Sequence, residues 1–230
     1  VAAPADATRN TTNISTSADP WTVNLPASIS AGDLLIVHGR TGGSPTFNLP
    51  SGWSWLVQNH VADASDDVTS IIWRIADGAE GATLSWDLSA TAKGSTLAYR
   101  ITGHDFGILD VQVAIGTGAN ANPPVTTTLP SDDYLILVFA GLDGETQTYT
   151  VPTNYVNLQT ANSGTAGIAT TNNVTASASR ALTGITSEDP GAFTNGAPST
   201  GWTTFTLAVR QTVPRTMRQK VRSAELEWSG

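Results

Sequence analysis

The chain of 230 residues carries 11 Lys and Arg against 19 Asp and Glu, a net charge of −8, which argues against nucleic acid as the main partner because phosphate neutralisation supplies most of that affinity. It contains no cysteine, which excludes disulfides and thiolate metal sites, and no apolar run approaches the roughly 18 residues of a membrane-spanning helix, so no membrane insertion is expected. Charged residues make up only 13%, and 21 Gly with 12 Pro point to many short strands and turns.

Residues 1–20 are small and polar with nothing periodic to bury, and read as an N-terminal arm, disordered alone or laid along a neighbour. Its start has no basic stretch followed by an apolar core, so no secretory leader is expected. From Trp21 strands begin. Leu34-Leu35-Ile36-Val37 is apolar at consecutive positions, so both faces of that strand want cover. Gly39 to Pro45 reads as a loop. Ile71, Trp73 and Ile75 alternate with other residues, Asp77 to Gly81 turns the chain, and Leu84, Trp86 and Leu88 follow at period two, a pattern that predicts a β-hairpin. Leu97, Tyr99 and Ile101 then line one face of a closing strand, with Ala98 and Arg100 on the other. The stretch from Gly103 to Pro124 reads as a connection between halves.

Tyr134 to Ala140 is again apolar on both faces, and it and Leu34–Val37 are predicted as central strands. Residues 163–186 hold few large apolar side chains and give the weakest strand signal. Asn195-Gly196 marks a turn, and Phe205, Leu207 and Val209 close the body. Nothing before Val213 repeats with a helical period, so the fold class is all-β: an antiparallel, jelly-roll-like β-sandwich.

The chain also says things twice. Thr96-Leu97-Ala98-Tyr99-Arg100 returns as Thr206-Leu207-Ala208-Val209-Arg210, Asp33-Leu34-Leu35-Ile36 as Asp133-Tyr134-Leu135-Ile136, and Pro50-Ser51-Gly52-Trp53 as Pro152-Thr153-Asn154-Tyr155. An internal two-fold repeat is the expectation, with halves at about 21–105 and 125–210 inside a body of 21–210.

The residues that usually carry chemistry are sparse. His38, His60 and His104 are not spaced as a metal pair and read as structural. Asp63, Asp66 and Asp67 would suit a hard cation but lack the glycine and distant glutamate of a calcium loop, so a solvated loop is expected and no metal or other cofactor. Ser51-Gly52 lacks the strand–turn–helix setting of a nucleophile elbow, and Asp132-Asp133 would face opposite ways on a strand. No enzymatic activity is expected. Among the 7 Trp, Trp73 and Trp86 are in phase with strand neighbours and read as core. Trp53, Trp55 and Trp202 sit nearest loops and are the candidates for stacking against a sugar.

The end of the chain differs in character. Residues 1–210 hold seven Lys and Arg against seventeen Asp and Glu, whereas 211–230 hold four against two, so an acidic body carries a basic C-terminal tail. Thr216-Met217-Arg218-Gln219 fits a capping box after Pro214. Met217, Val221, Ala224 and Trp228 fall on one helical stripe, with Arg218, Lys220 and Arg222 off it. A helix this short is marginal alone, and its basic residues come first, against the helix dipole. The tail is therefore expected to be a short helix that forms on a partner surface, with Met217, Arg218, Val221, Arg222 and Trp228 as docking residues.

Taken together, Ala31-Gly32-Asp33-Leu34-Leu35, Pro50-Ser51-Gly52-Trp53, Trp73-Arg74-Ile75-Ala76-Asp77-Gly78, Pro152-Thr153-Asn154-Tyr155, Ser187-Glu188-Asp189-Pro190 and Leu207-Ala208-Val209-Arg210 resemble a family of small Thr/Gly-rich proteins of tailed bacteriophages and prophages. The resemblance covers about residues 20–210 and lies in turns and strand closures. It implies a non-enzymatic virion structural protein at the particle surface, as head decoration, head fibre, neck or tail appendage, made in the host cytoplasm. Its partners would be other virion proteins and copies of itself, a trimer being one form. The alternative is a sugar-binding module, free or on a tail fibre, that recognises a host surface glycan.

Overall fold

The computed structural model describes residues 3–61, 66–144, 148–164 and 172–211. Its strands are β1 (Ala5–Ala18), β2 (Trp21–Asn24), β3 (Leu34–Thr41), β4 (Ser54–Val61), β5 (Val68–Ile75), β6 (Thr83–Trp86), β7 (Ala92–Thr102), β8 (His104–Ala121), β9 (Asp132–Asp143), β10 (Tyr149–Thr150), β11 (Val156–Asn162), β12 (Asn173–Ile185) and β13 (Phe193–Gln211). All pairing is antiparallel. One sheet has the order β1-β7-β3-β5-β4, the other β10-β13-β9-β12-β11 with β8 also on β13, and β2 pairs β6 in a separate ribbon. The class is all-β, as the alternating and continuous apolar runs predict.

The two large sheets pack face to face. Between them lie Leu34, Ile36, Ile71, Leu97, Tyr99 and Ile101 from the first, and Leu135, Leu137, Phe139, Phe205, Leu207 and Val209 from the second. Each sheet also buries its outer face under its own half of the chain. Leu35, Val37, Ile72 and Ala98 pack under Trp21, Phe47, Trp53 and Trp86, and Ile136, Val138, Ala176 and Ala208 under Tyr149, Tyr155, Phe193 and Leu129. This explains why β3 and β9 do not alternate. Every residue of β3 is buried, and both strands are central in their sheets. Full burial of a Leu, Ile or Val side chain is worth about 1.5–3 kcal/mol each, so these strands anchor the fold.

Four expectations need correction. Residues 5–18, expected as a loose arm, form β1 along β7. Its Thr and Asn side chains hold it down: Asn10 Nδ2 donates to the Leu25 carbonyl at 3.0 Å, and Thr12 Oγ1 accepts from Asn24 N at 2.8 Å. The predicted hairpin from Ile71 to Leu88 does not form. β5 is already paired on both sides by β3 and β4, so beyond the Asp77–Gly81 turn the chain crosses to the outer layer and β6 pairs β2. The connection from Gly103 is β8, a full strand on β13, and Asn195-Gly196, read as a turn, lies inside β13.

Two ion pairs fasten the starts of β3 and β9 to the ends of β7 and β13. Arg100 Nε meets Asp33 Oδ2 at 2.5 Å, and Arg210 Nε meets Asp132 Oδ2 at 2.6 Å. Arg100 lies opposite Leu35 and Arg210 opposite Tyr134. Asp33 and Asp132 thus each stand two residues before the residue that faces their arginine.

Candidate functional site

Along β3 the residues aimed between the sheets are Leu34, Ile36, His38 and Arg40, so the layer turns from apolar to polar toward one end of the molecule. Arg40 is fully buried. Its Nη2 lies 3.0 Å from Asp67 Oδ2 and its Nε 3.2 Å from the same oxygen. Its Nη1 donates to Thr69 Oγ1 at 3.3 Å and across the layer to Thr203 Oγ1 at 3.4 Å. The second oxygen of Asp67 accepts from Gly43 N at 2.7 Å. Gly141 leaves room for this side chain, since a Cβ there would stand 2.7 Å from Arg40 Cδ.

Around the pair, Ser95 Oγ donates to Asn173 Oδ1 at 2.7 Å, and Thr175 Oγ1 to Ser95 Oγ at 3.2 Å. Tyr99 and Ser177 share a hydroxyl hydrogen bond between the sheets. Burial pushes the Asp67 carboxyl up to about 6, against the pull of Arg40 and the Gly43 amide, with the Asp143 charge adding to the rise. His38 rests against Phe139 and Phe205, with ring centroids 5.2 and 5.9 Å away. Neither of its ring nitrogens has a hydrogen-bond partner among the described residues. Burial, then the Arg40 charge, pushes it down to about 3, so it is neutral at ordinary pH. The arrangement ties two sheets together. A fully enclosed imidazole and a guanidinium held by its own carboxylate offer no face to a substrate.

The expected site residues are scattered. Trp53 and Trp202 are 7% and 8% exposed. Trp53 sits in one outer layer with the Arg74 guanidinium 6.0 Å from its ring centre, Trp202 in the other. Trp55 is half-buried on β4. A stacking platform needs an open ring face shared by neighbouring aromatics, and the structure brings no two of the three together at the surface. Trp86 is core as expected, whereas Trp73 is only half-buried at the margin of the middle layer.

Of the aspartate cluster, Asp63 lies outside the described residues, and Asp67 is neither solvated nor metal-facing but half of the buried pair. Among the described residues no three His, Asp or Glu side chains gather as a metal site would require. His104 Nε2 is 2.9 Å from the Gly32 carbonyl, and His60 packs 6.1 Å from Phe205. A shallow groove of about 530 Å³ between β1 and the ribbon is lined by Asn10, Asn24, Leu25, Glu80 and Thr83. Its asparagines are engaged with backbone on its own walls. The docking residues Met217, Arg218, Val221, Arg222 and Trp228 lie outside the described residues.

Sequence reasoning missed Arg40 and its pairing with Asp67. The signal was present in the continuing period of two from Leu34 through Arg40, which carries a charge onto a buried face. Comparison with protein-family models, with curated proteins and with solved structures finds no match.

Proposed function

We propose that this chain is a non-enzymatic structural component of the surface of a tailed-bacteriophage particle, made in the host cytoplasm and assembling with other virion proteins and with copies of itself. The observation that supports the reading is that residues in or beside the motifs of that resemblance tie strands to one another and to the turns next to them. Asp33 of Ala31-Gly32-Asp33 holds Arg100, and Arg210 of the closing strand holds Asp132. Arg74 of Trp73-Arg74 holds Asp77 and Glu80, and Arg180 holds Glu188 of Ser187-Glu188. In both Pro-led turns the aromatic amide donates back to the proline carbonyl, Trp53 to Pro50 at 3.1 Å and Tyr155 to Pro152 at 3.0 Å. Residues of this kind make a rigid block.

The same ties support an internal duplication in which β1, β7, β3, β5 and β4 match β8, β13, β9, β12 and β11. Each half then reads as a reduced jelly roll. In the first, β1-β7-β3-β5 faces the β2-β6 ribbon, and in the second the Thr126–Glu188 bridge stands where that ribbon would be. The sugar-binding alternative loses its support with Trp53 and Trp202 inside the body.

Attachment to the particle is assigned to the basic tail, as a helix carried by Met217, Val221 and Trp228, with Arg218 and Arg222 meeting carboxylates. The test is deletion of residues 213–230. The truncated chain keeps the circular dichroism of the full chain and is missing from purified particles. Normal incorporation of the truncated chain would overturn the assignment.

A further inference from the structure

Three strand edges of the two large sheets, those of β1, β11 and β4, are engaged by other parts of the chain. The edge of β1 is met by residues 24–27 through Thr8, Asn10 and Thr12. That of β11 is broken by a register shift and joined to β1 through Asn13, Arg9 and Asp6. β4 carries two register shifts, and Asn59, with φ 44°, bonds both the amide and the carbonyl of Phe47. The edge of β8 also shifts register against β13 toward both of its ends, but between those shifts lies an unbroken run. It pairs β13 in unbroken register from Asp110 to Gly116, and among the described residues no strand pairs its other side. On that stretch Val113 and Ile115 are 44% and 40% exposed. A straight apolar strand edge is a template for another strand.

We propose that this edge is an interface at which two copies of the chain pair antiparallel about a two-fold axis through Val113. The occupant follows from the register. With Val113 opposite itself, Val111 meets Ile115 of the copy, Gln112 meets Ala114, and Asp110 meets Gly116. Aliphatic residues then face aliphatic residues across the joint, the kind of pair that stabilises antiparallel strands, and each residue finds its counterpart twice, as a two-fold interface requires. Charge points the same way. The chain carries −8, yet residues 111–121 contain no charged side chain, and no carboxylate is placed opposite another in this register. Val111 and Val113 lie opposite Leu207 and Phe205 of β13, so the joint extends the middle apolar layer from one copy into the next.

The lack of cysteine makes the test direct. In full-length Val113→Cys the two new side chains face each other with Cβ atoms roughly 4.5–5.5 Å apart, close to disulfide range. The chain sediments as a dimer, and mild oxidation converts most of Val113→Cys to a covalent dimer, while Val156→Cys, at the 56% exposed position on β11, stays single. A mixture of Val111→Cys and Ile115→Cys links across variants, and neither links with itself. Val113→Lys keeps its circular dichroism and sediments as a monomer. A chain that is monomeric at all concentrations overturns the proposal, as does an oligomer in which Val113→Cys links no faster than Val156→Cys. An oligomer that survives Val113→Lys but dissolves on deleting residues 213–230 also overturns it and gives the contact to the tail. A dimer in solution stands or falls without reference to whether the chain enters a particle.

Discussion

Replacing either member of the buried polar end should change the pH dependence of stability in opposite directions. The Asp67 carboxyl rises from 3.8 unfolded to about 6 folded, through burial ahead of the Arg40 pull. Between those values the folded chain keeps a proton that the unfolded chain has lost. Stability therefore falls as pH rises, by about 1.4 kcal/mol per unit and about 3 kcal/mol in all. His38 works the other way. Its value is 6.5 unfolded and about 3 folded, so below 6.5 the unfolded chain takes up a proton that the folded chain refuses. Stability then rises with pH across that window, by about 5 kcal/mol in all. From about pH 4 to about pH 6 the two slopes cancel, and the native chain is flat there as far as this end is concerned.

Asp67→Asn leaves the His38 slope alone, so stability climbs by about 1.4 kcal/mol per unit from about pH 4 to about pH 6. His38→Leu leaves the Asp67 slope, and stability declines by as much over the same range. Above about pH 6, where Asp67 is ionised in the folded chain, Asp67→Asn also lowers stability by about 3–5 kcal/mol, since Arg40 stays buried without its counter-charge. The slope is thus the quantity to read. Guanidinium denaturation at several pH values between about 4 and 7 supplies it. Parallel curves for the native chain and both variants would refute the assignment of these two groups.

Further outcomes follow from packing and backbone geometry. Trp86→Ala and Leu207→Ala each remove a fully buried side chain and should cost about 2–5 kcal/mol as cavities, read from the denaturation midpoint. Gly94→Ala drives a methyl into the Trp21 ring and the Arg40 carbonyl, and thermal melting should show a loss of about 1–3 kcal/mol or more. Gly52 and Asn154 have φ of 79° and 68° in the matched Pro-led turns, so Val at either position should destabilise by about 1–3 kcal/mol while Asn154→Gly does not.

The parts of the fold legible in the sequence were those where one strand carries its own evidence. Leu34–Val37 and Tyr134–Ala140 are apolar at every position, which only a strand covered on both faces tolerates, and both are central. Leu97, Tyr99, Leu207 and Val209 were placed on the inward face by simple alternation. What was not legible depends on distant partners. The Ile71–Leu88 hairpin has good local chemistry, but β3 and β4 occupy both edges of β5. β1 has a single buried apolar residue, Ile14, and is held by side-chain bonds to residues 24–27 that no periodicity announces. Asp67 belongs to Arg40, 27 residues away, so its neighbours in sequence suggested a solvated loop. Trp53 and Trp202 stand near turn signals in sequence, yet Trp53 packs into one outer layer and Trp202, within β13, into the other.

Membership of a virus particle is the central claim, and quantitative mass spectrometry of gradient-purified particles, with antibody labelling in negative stain, measures it most directly. The account predicts a fixed number of copies per particle and label confined to one location on the outside. A chain abundant in the lysate but absent from purified particles would contradict it.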